Sequence, residues 1–446
     1  MGRLFGTDGI RGVANADLTP ELVLRVARAA ATVLGRGAPG RVMIGRDTRL
    51  SGPLLEAACV AGVCSVGGEA VRCGILPTPA LAYLTVRGDA MCGVMLSASH
   101  NPIEDNGVKI FGRDGFKLPD PVEDEIERLL EGPDALPRPA GAALGEVADD
   151  PGSADRYLAW LVSLARGRLD GVRIVVDCAY GAAYDLAPCL WRELGATVIP
   201  LNAAPDGARI NVGCGSTHPA VLQEAVRREH ADLGFAHDGD ADRVIAADER
   251  GNIVDGDGII GVCALHLAAR GDLPGRRVVT TTMSNLGLEQ ALARAGIALE
   301  RTAVGDRFVL ERMRELDAPL GGEQSGHVIF LRHATTGDGL LTGVQLANVL
   351  LESGRRLSEL ASMIERLPQV LHNVRVEQKA GLLDRPEVRR AIEEAEHALG
   401  RRGRLFVRPS GTEPLVRVMV EAATQEEAEA TATAVAWAIA RAAVGE

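Results

Sequence analysis

The sequence predicts an α/β protein built from several domains with mostly parallel sheets. Short apolar runs rich in β-branched residues alternate with helical patterns, as in the strand-like run 41–44 followed by the helical pattern 54–66. The rhythm returns at 172–176 and 277–280, and strands separated by helices of this length are typical of βαβ units. The chain has 446 residues, 52 of them glycine, so it can form roughly three or four domains with many tight turns.

Three stretches interrupt this rhythm and predict domain boundaries. The first, 131–151, is rich in proline, glycine and alanine, and the others lie near 255–257 and 367–368. After the third, apolar residues alternate in the strand period at 416–419, which indicates a different, α+β unit. The predicted domains are 1–150, 151–254, 255–368 and 369–446, the last of them α+β.

Charge and composition exclude several classes of function. A formal net charge of -12 opposes binding to nucleic acid or anionic lipid, since both require clustered cations. The 8 cysteines show no CxxC spacing and are expected to be reduced core residues. The start lacks a secretory apolar stretch, and no apolar run approaches the ~18 residues of a membrane span, so we expect a cytoplasmic protein without a membrane or nucleic-acid partner.

Four polar, glycine-rich loops each follow a strand-like run directly. In open α/β sheets, ligands bind beyond the carboxyl ends of the strands. One such loop in each predicted domain therefore indicates a shared central cleft. The loops are 97–102, 238–243, 321–327 and 408–414.

The second loop carries three alternating aspartates, Asp238, Asp240 and Asp242. Carboxylates about 4 Å apart repel by roughly 4 kcal/mol per pair at an effective dielectric of 20, and a hard cation such as Mg²⁺ cancels that cost. The alternative is an exposed acidic turn with splayed side chains. A calcium EF-hand is excluded because its sixth position requires glycine and here holds Arg243.

The first loop offers a hydroxyl nucleophile, although its chemistry does not choose between Ser97 and Ser99. A Ser-x-Ser sequence is also a common turn or helix cap. Downstream, Lys109 is an amine whose pKa cationic neighbours or partial burial can bring toward neutrality for proton transfer. Its alternative is an ordinary solvated lysine.

The remaining two loops suggest contacts with a phosphorylated sugar. Arg408, Ser410, Gly411 and Thr412 combine a cation, hydroxyls and a glycine, the ingredients of a phosphate cradle, and Arg417 follows closely. Turn chemistry alone also explains such a loop. In the third loop, Glu323 and Ser325 offer a carboxylate and a hydroxyl suited to vicinal sugar hydroxyls.

Other nucleotide and metal motifs are excluded. The segment 35–40 matches GxGxxG, but it contains proline, follows a helical stretch and precedes a strand, which inverts the dinucleotide-binding context. No Walker GxxxxGK[ST] sequence and no HExxH sequence occurs.

Together with Gly6–Gly12, whose sequence is GTDGIRG, the four loops in this order resemble the α-D-phosphohexomutase superfamily over the whole chain. The resemblance implies four α/β domains around a central cleft: three similar units with mixed α/β sheets and a smaller α+β C-terminal domain. It also implies bound Mg²⁺, a phosphosugar substrate and a homodimer. It implies that Ser99 is a phosphoserine and a metal ligand beside the three aspartates. The other implied site residues are Arg11, His100 and Lys109 near the transferring phosphoryl group, Arg243, Glu323 and Ser325 as substrate contacts, and Arg408, Ser410, Gly411, Thr412 and Arg417 around the substrate's phosphate.

Within the family, three features resemble the members that act on glucosamine phosphates: Gln324 between Glu323 and Ser325, the run 214–219, and the run 304–308. The implied reaction interconverts glucosamine 6-phosphate and glucosamine 1-phosphate through a 1,6-bisphosphate, supplying UDP-N-acetylglucosamine synthesis. Mutases of mannose or glucose phosphates are the first alternative. A magnesium-dependent sugar phosphatase and a phosphosugar-binding protein without catalysis are the others.

Overall fold

A computed structural model describes residues 3–36, 38–132, 135–379, 381–410 and 413–444. These residues form two compact units: 1–283 with 295–363, and 284–294 with 364–446. The part of the chain described forms three α/β sheets in the first unit and a smaller sheet in the second. The predicted fold class, three α/β sheet units and a smaller α+β unit, is confirmed, while the predicted boundaries stay predictions.

The first sheet contains parallel and antiparallel strands, and the Ser99 loop follows one of its central strands. Its strands are β1 (Ile10–Val13), β2 (Arg41–Arg46), β3 (Glu69–Ile75), β4 (Cys92–Leu96), β5 (Asp105–Gly112) and β6 (Val147–Asp149), in the order β1-β5-β4-β2-β3-β6. β2 runs parallel to β3 and β4, whereas β5 is antiparallel to β4 and β1. Every residue of β4 is buried, as expected for a central strand.

Helices α1 (Pro20–Gly35), α2 (Gly52–Ser65), α3 (Thr78–Arg87) and α4 (Asp120–Glu131) accompany this sheet. α1 begins where the Thr19 side chain accepts a hydrogen bond from the Leu22 N–H, with Pro20 in the first turn. The predicted boundary at 131–151 is only partly a linker. Its end forms β6, which pairs in parallel with β3, and the Gly145 N–H donates to the Cys64 carbonyl at 3.0 Å.

The second sheet follows helix α5 (Ser153–Ser163). Its strands are β7 (Arg173–Asp177), β8 (Thr197–Leu201), β9 (Leu233–His237), β10 (Val244–Ala247) and β11 (Ile253–Val254), in the order β11-β10-β9-β7-β8, with helices α6 (Leu186–Glu193) and α7 (Ala220–Glu229). β9 is buried along its whole length and ends at the acidic loop.

The third sheet follows helix α8 (Gly256–Arg270). Its strands are β12 (Arg277–Thr281), β13 (Ala298–Thr302), β14 (Leu320–Gly322) and β15 (Val328–Phe330), in the order β13-β12-β14-β15, and the helices after α8 are α9 (Leu286–Arg294), α10 (Asp306–Leu316), α11 (Gly339–Ser353) and α12 (Leu357–Ala361). Asp255 caps α8 and Asp338 caps α11, each accepting a hydrogen bond from a backbone N–H of the first turn. α9 belongs to the second unit.

The second unit is an antiparallel sheet with its own core. Its strands are β16 (Gln369–Arg375), β17 (Arg404–Pro409) and β18 (Leu415–Glu421), in the order β16-β18-β17, and helices α13 (Pro386–Leu399) and α14 (Gln425–Val444) complete it. Short 3-10 helices occur at Gly141–Ala143, Pro274–Arg276 and Leu382–Asp384. Among the helices described in both units, none combines the length and the apolar character that crossing a membrane requires.

Asp338 connects α11 to α5 through a buried hydrogen bond, donated by the Tyr157 hydroxyl at 2.7 Å. Burial raises the pKa of Asp338 to about 6. A carboxyl whose pKa is higher in the folded than in the unfolded protein stabilises the fold fully below its unfolded pKa. That contribution is lost as the pH rises through the folded pKa.

We therefore expect Asp338→Asn to flatten the pH dependence of stability. Between pH 4 and pH 7 the wild-type free energy of unfolding should fall by about 3 kcal/mol relative to the variant, because a shift of about two pKa units has that magnitude. Urea unfolding at several pH values measures it. Parallel curves for the two proteins would contradict the assignment.

Candidate active site

Ser99 follows β4 in a left-handed backbone conformation, with φ of 52°. Such a conformation is unfavourable for residues other than glycine and needs support from its surroundings. The Ser99 carbonyl accepts hydrogen bonds from Arg49 Nη2 and Asn211 Nδ2, each at 2.9 Å. The Ser99 N–H donates to Ser97 Oγ at 2.9 Å. The backbone of Ser99 is thus fixed on both sides.

The structure distinguishes the two serines of this loop. Ser97 Oγ donates to Asp47 Oδ2 at 2.7 Å, so its hydroxyl is engaged in supporting the loop. Ser99 Oγ donates to Asp238 Oδ2 at 2.5 Å and lies 3.3 Å from His100 Nδ1. Ser99 therefore presents its hydroxyl to the acidic loop of the second sheet.

Arg49 organises the loop from beneath. Its side chain is fully buried, and its guanidinium donates to the carbonyls of Ser99, Asn101, Pro102 and Asp105. Its Nε also pairs with Asp47 Oδ2 at 3.0 Å. One planar cation thus fixes four backbone carbonyls of the segment 99–105.

The acidic loop places Asp238, Asp240 and Asp242 in one buried cluster, with one carboxylate oxygen of each within 4.8 Å of the others. Burial and the two neighbouring carboxylates raise the pKa of Asp238 well above its usual range. Asp240 Oδ1 and Asp242 Oδ1 are buried and accept no hydrogen bond from the described residues. Buried carboxylate oxygens without donors fit a divalent cation, so the cluster is a candidate divalent metal site.

The serine loop and the acidic loop touch through their backbones. A Cβ atom at Gly239 would lie 2.5 Å from the Ser99 carbonyl oxygen, which no side chain tolerates. Glycine at this position therefore permits the approach that puts Ser99 Oγ beside Asp238.

Lys109, on β5, is buried against the same cluster. Its Nζ lies 2.8 Å from Asp240 Oδ2, 3.2 Å from Asp242 Oδ2 and 3.1 Å from Asp8 Oδ2. Burial favours the neutral amine, but these three carboxylates outweigh it and hold the pKa of Lys109 well above its usual value. The expectation that its neighbours would bring this pKa toward neutrality is wrong, because those neighbours are acidic.

Asp8 gathers three cations at the edge of the site. It pairs with Lys109, and it accepts hydrogen bonds from Arg11 Nη2 and Lys117 Nζ. Burial opposes ionisation of Asp8, yet Lys109, Lys117 and Arg11 hold its pKa well below the usual range. Arg11 also donates from Nη1 to Asn101 Oδ1 at 2.9 Å. Asp8 thus links Arg11 and Lys109, two residues predicted to lie in the site.

A cavity of about 460 Å³ opens onto these groups within the first unit. Burial, together with Arg243 and Arg11, lowers the pKa of His100 to about 4, so this imidazole is neutral at pH 7. Burial opposes the charge of Arg243, but Asp242 and Asp238 raise its pKa. The polar and charged side chains that line the cavity are Arg3, Thr7, Asp8, Arg11, His100, Asp242, Arg243, Asp306, Glu323 and His327.

Glu323 and Ser325 occupy the turn between β14 and β15. Glu323 Oε1 accepts a hydrogen bond from the Gly305 N–H at 3.1 Å, and Ser325 Oγ lies 3.5 Å from Glu323 Oε2. Glu323 lines the cavity, whereas Ser325 is exposed. The structure thus brings Ser99, the three aspartates, Lys109, Arg11, His100, Arg243 and Glu323 together in the first unit.

The fourth predicted loop belongs to the second unit. Arg408 on β17 lies directly opposite Arg417 on β18, and like charges in such positions repel. Lys379 Nζ donates to the Ser410 carbonyl at 2.6 Å, which adds a third cation. Arg417 also pairs with Glu413 at 3.0 Å, so these four side chains keep an excess of positive charge, which favours an anionic ligand. Gly411 and Thr412, also predicted there, lie outside the described residues.

Comparison with known proteins identifies the family. Sequence models described as phosphoglucomutase/phosphomannomutase alpha/beta/alpha domains I, II and III match residues 2–136, 155–251 and 255–367, and the C-terminal domain of that family matches 371–438. The chain belongs to the phosphoglucomutase/phosphomannomutase family. The predicted resemblance to phosphohexose mutases is therefore confirmed.

Curated relatives match this family member over nearly its full length. Proteins named phosphoglucosamine mutase from Moorella thermoacetica and Rhodococcus opacus are 56% and 54% identical to it, covering 96% and 99% of this chain and 97% and 100% of theirs. These names agree with the glucosamine-phosphate branch indicated by the sequence.

Solved structures share the fold. A phosphoglucomutase/phosphomannomutase family protein from Burkholderia thailandensis has a TM-score of 0.84 at 24% identity, covering 99% of this chain and 98% of its own. N-acetylphosphoglucosamine mutase from Aspergillus fumigatus, solved in complex with GlcNAc-6P and magnesium, has a TM-score of 0.70 at 20% identity. The match covers 99% of this chain and 96% of that one.

Sequence analysis of this mutase missed residues that support the site. Asp47 and Arg49 stand just after β2, so the rule that ligand-binding residues follow parallel strands would have indicated them. Asp8 lies inside the GTDGIRG motif but was not singled out. Lys117 and Lys379 carry no local signal, because their partners lie more than 30 residues away in sequence.

We expect Arg49→Lys to destabilise the protein and disorder the serine loop. One ammonium group cannot replace a guanidinium that serves four carbonyls and a buried carboxylate, so the free energy of unfolding should fall by about 3 kcal/mol or more. The control is Arg41→Lys at the start of β2, whose ion pair with Glu69 is exposed and should cost less than about 1 kcal/mol. Urea unfolding compares them, and equal losses would contradict the role of Arg49.

We also expect the aspartate cluster to bind one divalent ion per chain. Asp240→Asn should weaken Mn²⁺ binding at least about tenfold, a loss of about 1.4 kcal/mol, because a ligand charge is removed. Asp232→Asn, at the opposite end of β9 and exposed, is the control and should bind as the wild type does. Titration followed by electron paramagnetic resonance measures free Mn²⁺. Unchanged affinity in Asp240→Asn would place the ion elsewhere.

Proposed function

We propose that this protein is a phosphoglucosamine mutase, which interconverts glucosamine 6-phosphate and glucosamine 1-phosphate through phosphorylated Ser99 and a 1,6-bisphosphate. The observation that carries the proposal is the hydroxyl of Ser99, buried beside Asp238 and next to the cavity that Arg11, His100 and Arg243 line. Relatives named phosphoglucosamine mutase, at 53 to 56% identity, support the amino-sugar assignment.

The metal proposed for the aspartate cluster is Mg²⁺, held by Asp238, Asp240, Asp242 and the oxygen of Ser99 or of its phosphate. The two buried oxygens without hydrogen-bond donors support this fit, as does the all-oxygen ligand set. When bound, the ion would neutralise charge that develops on the transferring phosphoryl group.

Ser99 is the proposed carrier of the phosphoryl group. In the first transfer the bond from phosphorus to Ser99 Oγ breaks while a bond to the 1-hydroxyl oxygen of the sugar forms. The sugar hydroxyl loses one proton and Ser99 Oγ gains one, so the exchange balances. The second transfer reverses these roles at the 6-phosphate.

Lys109, as an ammonium group, supplies positive charge and a donor proton near the reacting oxygens. Asp8, Asp240 and Asp242 lie around its Nζ and favour this ammonium form. Arg11 and Arg243 add fixed positive charge, which favours an anionic substrate in a protein of net charge -12. His100 is neutral and lies within 3.3 Å of Ser99 Oγ, so it can share a hydrogen bond with the nucleophile.

The sugar and the second phosphate have separate proposed contacts. Glu323, which lines the cavity, would accept hydrogen bonds from sugar hydroxyls, and Ser325 beside it would add a further polar contact. Arg408, Ser410 and Arg417 are the proposed contacts to a phosphate group. The opposite positions of Arg408 and Arg417 on neighbouring strands support that assignment.

The eight cysteines are all free thiols, which supports the proposed location in the reducing cytoplasm. The homodimer that the family resemblance implies stays a prediction.

The test is turnover by the purified protein with Mg²⁺ and a trace of hexose 1,6-bisphosphate. We expect conversion of glucosamine 6-phosphate with a higher kcat/KM than for glucose or mannose 6-phosphate. Ser99→Ala should lose at least about a thousandfold in kcat and take up no label from a labelled bisphosphate, whereas the control Ser97→Ala should still be labelled.

Each other outcome rejects a defined part of the proposal. A clear preference for mannose 6-phosphate would reject the amino-sugar assignment. Release of inorganic phosphate without isomerised sugar would indicate a phosphatase. Sugar phosphate binding without turnover would indicate a binding protein, and labelled Ser99→Ala would remove Ser99 from the mechanism.

A further inference from the structure

Lys117 lies between two parts of the active site that come from different sheets. Its Nζ donates to Asp8, beside the first sheet, and to Asp306, the first residue of α10 beside the third sheet. The side chains of Lys117 and Asp306 are only 13% and 15% exposed. Solvent therefore screens this pair much less than an ion pair on the surface.

The ion pairs of Lys117 with Asp8 and Asp306 form a bridge, and its Asp8 end contacts the phosphoryl-transfer residues. Asp8 also pairs with Arg11 and with Lys109, whose ammonium contacts two aspartates of the metal cluster. A movement of Asp8 would therefore shift the cations that face the transferring group.

The other end reaches the sugar contacts. Asp306 directly follows Gly305, whose φ of 136° favours glycine and whose N–H donates to Glu323 Oε1 at 3.1 Å. Asp306 Oδ2 also lies 3.5 Å from His327 Nε2. A displacement of Asp306 would therefore move the backbone donor that orients Glu323.

Lys117 itself lies behind the wall of the site. Asp8, Asp306 and Glu323 line the cavity of about 460 Å³, whereas Lys117 lines the neighbouring groove of about 1300 Å³. Its ammonium is thus placed to hold the two carboxylates in position, with the substrate on their far side.

We propose that Lys117 and Asp306 are positioning residues, whose ion pair sets the spacing between the phosphoryl-transfer residues of the first sheet and Glu323 of the third. The inference rests on the proposed function, because that function assigns Glu323 to the sugar. It adds a role for two residues that do not transfer phosphate.

A neighbouring ion pair provides a matched control. Arg307, the next residue of α10, pairs with Asp120 of α4 at 2.7 Å, and the Asp120 side chain is 51% exposed. This pair also joins α10 to the first sheet's helices, but neither residue contacts Asp8 or Gly305 in the described contacts of the chain. Arg307→Met therefore removes the contacts of this side chain with Asp120, Glu123 and Glu311 and leaves the ion pairs of Lys117 in place.

The first measurement is kcat/KM with glucosamine 6-phosphate. We expect Lys117→Met and Asp306→Asn each to lower it about thirtyfold. The double variant should be no worse than Lys117→Met, because that substitution already removes the ion pair that Asp306→Asn removes. Lys117→Arg should restore activity to within about threefold, since the cation is retained, and Arg307→Met should stay within about threefold of wild type. Additive losses, or no rescue by arginine, would overturn the proposal.

Thermal unfolding of each variant shows whether it is folded. If Lys117→Met does not fold, Asp306→Asn tests the bridge.

The second measurement is a double-mutant cycle with Glu323→Gln. If Lys117 acts through Glu323, Lys117→Met should weaken glucosamine 6-phosphate binding in the wild type but have little further effect in Glu323→Gln. Calorimetry with Mg²⁺ measures this affinity without turnover, so the bridge is tested even if the protein proves not to be a mutase. Equal losses in both backgrounds would show that Lys117 does not act on Glu323.

Discussion

The burial of three like charges next to a nucleophile is the constraint on which the rest of the first unit depends. Asp238, Asp240 and Asp242 lie close together away from solvent, where each pair repels by several kcal/mol. The fold compensates with Lys109 from a different sheet and leaves two oxygens without donors for a cation. Removing the positive charge of Lys109 would leave the carboxylates less compensated, which couples metal binding, serine orientation and stability.

Much of the fold and of the chemistry was predictable because the signals are local. The alternation of strands and helices predicted the sheets, and β2, β4, β7 and β12 lie where the apolar runs indicated. The aspartates alternate within five residues, which indicated the cluster that the structure shows. Breaks in that rhythm predicted four domains. One of these breaks, 131–151, forms β6 as well as a connection.

The parts that could not be predicted depend on contacts between distant residues. Lys109 and Asp240 are 131 positions apart, so the sequence could not show that the neighbours of this lysine are acidic. The family resemblance indicated Ser99, but the residues themselves did not distinguish it from Ser97, because that requires the direction of each hydroxyl. The four carbonyl partners of Arg49 lie about 50 or more positions away, so its role in the serine loop has no local signal. Charge compensation and orientation are thus tertiary properties.

The close approach of Gly239 to the Ser99 carbonyl has a consequence for recognising active members among distant relatives. A methyl group at that position would move the nucleophile away from its acidic partners, although the sequence would still contain every ionisable residue. A chain could thereby retain the whole inventory of reactive groups and still be inert. Whether a homologue is catalytically active therefore depends on glycine at this position as well as on the functional groups that are usually compared.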